Sequence, residues 1–313
     1  MTEKGGRKLK WLEIDLITPP ELSDALANFL TETGAQGIYE ESPEISVAPG
    51  DFPEPPSKET IKAFFPFDSR VEDHLAALDI YLESLDQLLP GVDKPQYKAE
   101  IISDMNWGEE WKKYFKPLRV SKTIVIKPTW ERYTPEPRDI IIEMDPGMAF
   151  GTGQHPSTRM CLEALEDVLL KDRTVHQGKV LDVGTGTGIL GIAAAKLGSG
   201  SVICVDIDKK ATEVARENVV INQVADRVEV LNRDVTTIEG PFDLILANLT
   251  ARILLKLRQN LTALLKNGGY MIISGIIDQN RPDIEAHFLK EPFSLHHTIM
   301  EKEWVCYILR KGS

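Results

Sequence analysis

The sequence predicts an α/β protein of two domains, a small mixed α+β unit followed by a larger unit on a mostly parallel sheet. Three observations carry this. The chain has 313 residues, and at roughly 100–200 residues per domain that length suggests two domains. Up to Ile102 the elements run strand, helix, strand, strand, helix, strand. From His155 onward, apolar strands alternate with helices, the pattern of a parallel sheet covered on both faces.

Leu9 to Ile17 alternates apolar and polar residues like a half-buried strand. After Pro19-Pro20, Glu21 to Thr33 reads as a helix with Leu22, Leu26 and Leu30 on one face, ending near Gly34. Gly37 to Glu41 is a short strand, and the Pro- and Gly-rich stretch 43–57 an exposed loop. Thr60 to Phe67 is strand-like. Val71, Leu75, Leu78, Leu82, Leu85 and Leu89 then recur at alternating four- and three-residue steps, which puts them on one helical stripe facing a core. Tyr97 to Ile102 closes the series. The β-α-β-β-α-β order is that of a ferredoxin-like split unit, an architecture that carries no chemistry of its own. Asp104 to Leu118, with Trp107, Trp111, Tyr114 and Phe115, reads as a connecting helix. The expected division is residues 1–104, a connector 105–120, and residues 121–313.

In the second domain, Thr123 to Thr129 and Asp139 to Met144 read as strands around a turn at 133–137. Ser157 to Lys171 is a helix. The strands Lys179–Val183, Val202–Asp206, Val228–Leu231, Leu244–Asn248 and Tyr270–Ser274 follow. They are separated by the helices Ile189–Leu197, Lys210–Asn222 and Ala251–Leu265. Arg281–Leu289 is a last helix, and Ser294 to Leu309 holds two final strands.

Composition narrows the function classes. The formal net charge of −12 repels phosphate backbones at long range and suits basic partners. No direct nucleic acid substrate is expected. Cys161, Cys204 and Cys306 are far apart and form no CxxC pair, which argues against disulfides and a zinc knuckle. Cys204, in an apolar run, reads as a core residue. His296-His297 reads as a pair of strand histidines, and no metal is expected. No stretch has the look of a signal peptide or membrane helix, so a cytoplasmic location is expected.

The most informative segment is Val180-Leu181-Asp182-Val183-Gly184-Thr185-Gly186-Thr187-Gly188-Ile189. A buried strand enters a Gly-rich turn and leaves as a helix, where backbone approaches a ligand closely and free N–H groups face it. Asp206 ends the next strand, about twenty residues on, where a carboxylate hydrogen-bonds ribose hydroxyls. Nicotinamide enzymes favour G-x-G-x-x-G. The Asp-x-Gly-x-Gly-x-Gly form here resembles instead the first motif of class I S-adenosylmethionine (SAM) methyltransferases, which implies a Rossmann-like sheet with an antiparallel C-terminal hairpin. By that resemblance the loop wraps the methionine end of SAM, with Gly184, Gly186, Gly188 and Asp182 anchoring it. Asp234, after the following strand, would face the adenine; it also fits a solvated turn aspartate.

The strand ending in Asn248-Leu249-Thr250 faces the reacting edge. It lacks the Pro-Pro-aromatic sequence found in enzymes that methylate bases, which again demotes nucleic acid. The segment Asp145-Pro146-Gly147-Met148-Ala149-Phe150-Gly151-Thr152-Gly153-Gln154-His155-Pro156-Ser157-Thr158 reads on its own as a loop entering a helix, its Ser, Thr and His capping that helix or lining a ligand site. As a whole it resembles the hallmark of the PrmA family, bacterial enzymes that methylate large-subunit ribosomal protein eleven. Trp107-Gly108-Glu109-Glu110-Trp111-Lys112 and Glu301-Lys302-Glu303-Trp304 resemble that family too, and the likeness spans nearly the whole chain.

The resemblance implies that the C-terminal domain binds SAM, with Phe150, Gly151, His155, Ser157 and Thr158 in a loop closing over it. Asn248, Leu249 and Phe150 would stand near the transferred methyl group. The first domain would recognise a basic ribosomal protein, free or on the ribosome. Lysine side chains and a terminal α-amine would be the acceptors. Thr250 stands where relatives often carry a small or apolar residue, which bears on acceptor choice. Two other readings stay open: a SAM-dependent lysine methyltransferase with another protein target, and a non-catalytic SAM-fold protein that binds the ribosome.

Overall fold

The computed structural model describes residues 10–35, 37–41, 58–67, 70–88, 92–103, 115–145, 153, 155–172 and 175–312. The expected loop 43–57, Leu89, the aromatic residues Trp107, Trp111 and Tyr114, and Phe150, Gly151 and Gln154 lie outside the described residues. Two compact units part between Phe115 and Lys116, apart from three residues outside the described set.

The first unit contains β1 (Lys10–Thr18), α1 (Pro20–Glu32), β2 (Gly37–Glu41), β3 (Glu59–Pro66), α2 (Val71–Leu88) and β4 (Gln96–Ser103). Its sheet has the order β2-β3-β1-β4 with every neighbour antiparallel, the split arrangement expected from the element order. Alternation along β1 buries Leu12, Ile14 and Leu16; α1 adds Leu22, Leu26 and Leu30, and α2 adds Leu78, Leu82 and Leu85, in one apolar cluster. The helix α1 begins one residue earlier than expected, at Pro20. Proline suits this first position, where its missing N–H costs nothing.

The second unit begins with a three-stranded sheet of β5 (Leu118–Arg119), β6 (Ile124–Lys127) and β7 (Ile140–Glu143). The helix expected up to Leu118 does not reach that residue: 115–117 are non-helical and Leu118 pairs with Ile126. Pro117 supplies the reason, since it lacks a donor and disfavours helix at the residue before it. Two side chains fasten this sheet. The buried Glu166 carboxylate accepts from the backbone N–H of Lys122 at 3.2 Å and of Thr123 at 2.7 Å. Asn222 imitates a strand, accepting from the Glu143 N–H at 2.9 Å and donating to the Glu143 carbonyl at 2.7 Å.

The main sheet is built from β8 (Lys179–Val183), β9 (Ser201–Asp206), β10 (Val228–Asn232), β11 (Phe242–Asn248), β12 (Leu265–Ile277), β13 (Phe293–Glu301) and β14 (Trp304–Lys311). Between them lie α3 (Pro156–Lys171), α4 (Ile189–Lys196), α5 (Lys209–Ile221), α6 (Ala251–Leu264) and α7 (Arg281–Phe288), with α3 preceding β8. The strand order is β10-β9-β8-β11-β12-β14-β13. The first five run parallel, and β14 is antiparallel to both neighbours. This is the Rossmann-like sheet with an antiparallel closing hairpin that the sequence led us to expect. β12 runs well beyond the expected Tyr270–Ser274.

Apolar clusters fill both faces of the sheet. The chain winds outward from β8 through β9 and β10, then returns to the other side of β8 at β11. The carboxyl ends of β8 and β11 therefore flank the topological switch point, where open α/β sheets bind ligands. Among the described residues, no helix is long and apolar enough to cross a membrane.

Candidate active site

The glycine-rich turn leaves β8 at this switch point. Gly184 stands at φ +67°, and a Cβ there would lie 2.4 Å from Leu249 Cδ2. Glycine is thus required twice over, by conformation and by space. Gly191 in the first turn of α4 is a second close approach, since a Cβ would meet Cys204 Sγ at 2.2 Å. That intimacy lets the Gly191 N–H reach Asp182 Oδ2 at 3.0 Å.

Asp182 is buried, and its Oδ2 also accepts from Thr185 Oγ1 at 2.5 Å. Burial pushes its pKa up to about 6, against the pull of these hydrogen bonds. Oδ2 is therefore spent on the shape of the loop. Cys204 Sγ lies 3.9 Å from the same oxygen, and burial holds that thiol well above its ordinary pKa. Cys161, Cys204 and Cys306 are all buried free thiols.

Asp206 is half-buried at the end of β9. Its Oδ2 accepts from the Gly186 N–H and its Oδ1 from the Asp208 N–H, each at 3.0 Å. An ionised carboxylate has about four acceptor positions, so capacity remains for a ligand hydroxyl. Gly188 is the N-cap of α4. Ile207, directly after Asp206, is 78% exposed. Sequence reading missed this residue; its only signal is an apolar side chain following an acid at a strand end. Asn232 was also missed. Its Nδ2 donates to the carbonyls of Asp206 and Ile207 at 3.0 Å, tying the end of β10 to this corner.

Asp234 is exposed and caps the short 3₁₀ turn Val235–Thr237, accepting from the Thr236 N–H at 2.9 Å and from its hydroxyl at 2.8 Å. The Thr236 N–H, chiefly, lowers its pKa. This is the bonding of a solvated turn aspartate.

The end of β11 joins the second motif to the first. Leu249 lies over Gly184 and donates its N–H to the Ser274 carbonyl at 3.0 Å. Half-buried Asn248 donates through Nδ2 to Thr158 Oγ1 at 3.3 Å, leaving Oδ1 for another donor. Thr158 is buried in the first turn of α3. His155 is the N-cap of that helix: Nδ1 accepts from the Ser157 N–H at 3.2 Å and sits 2.7 Å from Ser157 Oγ. In the neutral ring the proton is then on Nε2. The hydroxyls of Ser157 and Thr158 are thus engaged with protein partners, and capping is the role the geometry gives His155. His296 and His297 lie exposed on β13.

Asp182, Gly184, Gly186, Gly188, Asp206, His155, Ser157, Thr158, Asn248 and Leu249 thus belong to one connected set of contacts and adjacent turns. This loop, a carboxylate with spare acceptor capacity and a neighbouring exposed apolar side chain suit a nucleoside carrying a compact polar tail.

The chain was compared with known proteins. A family model described as ribosomal protein L11 methyltransferase (PrmA) matches residues 10–312. A ribosomal protein L11 methyltransferase of Pelobacter propionicus is 38% identical over 304 residues, covering 97% of this chain and 98% of that one. The Bacillus licheniformis protein of the same name is 38% identical over 321 residues, covering 97% of this chain and all of its own length. Among solved structures, a ribosomal protein L11 methylase from Lactobacillus delbrueckii subsp. bulgaricus superposes with a TM-score of 0.58 at 33% identity, covering 64% of this chain and 100% of that one.

Proposed function

The chain belongs to the PrmA family, and we propose that it transfers methyl groups from SAM to lysine and N-terminal amines of ribosomal protein L11. The observation that carries this reading is the Asn248–Thr158 hydrogen bond. It brings the strand-end Asn-Leu pair and the loop-to-helix segment together beside the glycine turn.

The residues present fit SAM. Gly184 lets Leu249 pack directly on the glycine turn, Asp206 keeps acceptor capacity for ribose hydroxyls, and exposed Ile207 offers an apolar face to adenine. When bound, SAM supplies a methyl group on a sulfonium centre, already activated for displacement by a neutral amine. The protein's task is then chiefly to position the acceptor. A lysine must first lose a proton, and its unperturbed pKa is about 10.4. Desolvation against Leu249 lowers that value. Asn248 Oδ1 accepts from the amine and turns its lone pair toward the methyl group. Phe150 would add to the apolar wall. His155, its Nδ1 held by Ser157, caps α3 rather than acting as a base.

The first unit would recognise the ribosomal protein, free or in the large subunit, and an acidic enzyme suits a basic target in the cytoplasm. The test is mass spectrometry of L11 after incubation with this protein and SAM, with Asp206→Ala as control. Methyl additions that the control lacks support the proposal. Absence of any addition, with SAM binding demonstrated by calorimetry, would remove L11 as target and favour another basic protein. Absence of SAM binding would leave the non-catalytic reading.

A further inference from the structure

The motif Glu301-Lys302-Glu303-Trp304 has no part in the chemistry above, yet it touches the segment that carries Thr158. It forms the turn between β13 and β14, with Glu301 opposite Trp304 in register. The turn is held on a stiff support. The Glu303 carbonyl accepts from the Asp278 N–H at 2.8 Å, and Trp304 pairs with Ile277 at the end of β12.

From this support two contacts reach the start of α3. Arg159 is ion-paired with Glu301, its Nε 3.4 Å from Oε2. The His155 ring meets Trp304 edge-on, with ring centres 4.7 Å apart and planes at 72°. His155 and Arg159 bracket one helical turn, and Thr158 lies inside it. Thr158 in turn accepts from Asn248.

We propose that the C-terminal hairpin turn is a positioning element for Asn248. Glu301 and Trp304 fix the 155–159 turn, and Thr158 transmits that position to the Asn248 amide. The idea rests on the methyl-transfer reading for its purpose, while the contacts stand independently of it. Glu301, Trp304 and Arg159 are positioning residues, since none of them needs to touch substrate. A misplacement of about 1 Å in an orienting group costs on the order of a hundredfold in rate, so a supporting shell of this kind should show in kcat.

The experiment is a double-mutant cycle with a spectroscopic readout. Glu301→Ala and Thr158→Val should each lower kcat by about tenfold with little change in KM for SAM. The double variant should be no slower than Thr158→Val alone, because both act through one path. Trp304→Phe, which keeps an aromatic ring, should retain activity that Trp304→Ala loses. Effects that simply multiply would overturn the proposal, as would an unchanged kcat in Glu301→Ala. The side-chain amide resonances of Asn248, assigned by their absence in Asn248→Asp, give a readout without turnover. They should shift in Glu301→Ala and stay near wild type in Glu301→Gln. Unchanged resonances in a folded Glu301→Ala protein would equally sink the idea. A wild type that methylates no protein amine would remove the functional reading, and the amide signal would still decide the positioning.

Discussion

In the first unit, Leu12, Ile14 and Leu16 of β1 meet Leu26 of α1 and Leu78 of α2 in an apolar layer. At the ligand-facing edge of the second unit, a buried carboxylate, a threonine hydroxyl, a backbone amide and a missing Cβ hold the chain instead. The first arrangement depends on volume and area, which many side chains supply. The second depends on single atoms in a low-dielectric setting, where each hydrogen bond counts for more. Substitutions in the two regions should therefore fail differently, one losing stability and the other losing the ligand.

The largest expected effect is in the apolar layer. Leu78→Ala should cost about 2–5 kcal/mol in the unfolding of the first unit, measured by urea titration. SAM affinity should be unchanged. A weaker Kd would mean the two regions are energetically coupled.

Next comes the loop. Gly184→Val places a branched side chain at positive φ against Leu249, and SAM affinity should fall on the order of 100-fold by calorimetry. A Kd close to wild type would put the ligand elsewhere.

The third effect concerns pH. The carboxyl of Asp182 has its pKa raised by burial to about 6. Its contribution to stability is therefore complete below the ordinary carboxylate value and is lost as pH rises through the folded-state value. Between about pH 4 and 7, wild type should lose on the order of 2 kcal/mol relative to Asp182→Asn, which removes this titration. Denaturation curves at several pH values check this, and parallel curves would show that Asp182 does not titrate with folding.

The smallest effect is at Asp234. Replacing this cap with Ala should cost about 1 kcal/mol or less and leave SAM binding unchanged. A loss of affinity of about tenfold would give it the adenine contact that its exposed setting does not require.

The same contrast explains what could be read from the sequence. The stripe Leu75, Leu78, Leu82 and Leu85 announces α2 because helical periodicity repeats. Asp182, Gly184, Gly186, Gly188 and Asp206 announce a nucleoside site because their spacing is fixed by a strand, a turn and a helix. Asn248 and Thr158 were each flagged, but their hydrogen bond spans 90 positions and leaves no local trace. Glu166 and Asn222, which fasten the small sheet, were missed for the same reason: one buried carboxylate and one amide have no periodicity. Asp182 stands in the motif as expected, and its Oδ2 is engaged by Thr185 and Gly191, a partner set that motif spacing alone does not reveal. The connecting helix was extended too far because the aromatic pattern outweighed Pro117.

The measurement that bears most directly on the central claim is single-turnover methyl transfer to L11 at saturating SAM, comparing wild type with Asn248→Ala on samples of known SAM affinity. The expected result is a transfer rate lower by about tenfold or more with SAM Kd unchanged, as befits a group that orients the acceptor amine. Equal transfer rates in the two proteins would contradict the placement of the reaction at Asn248.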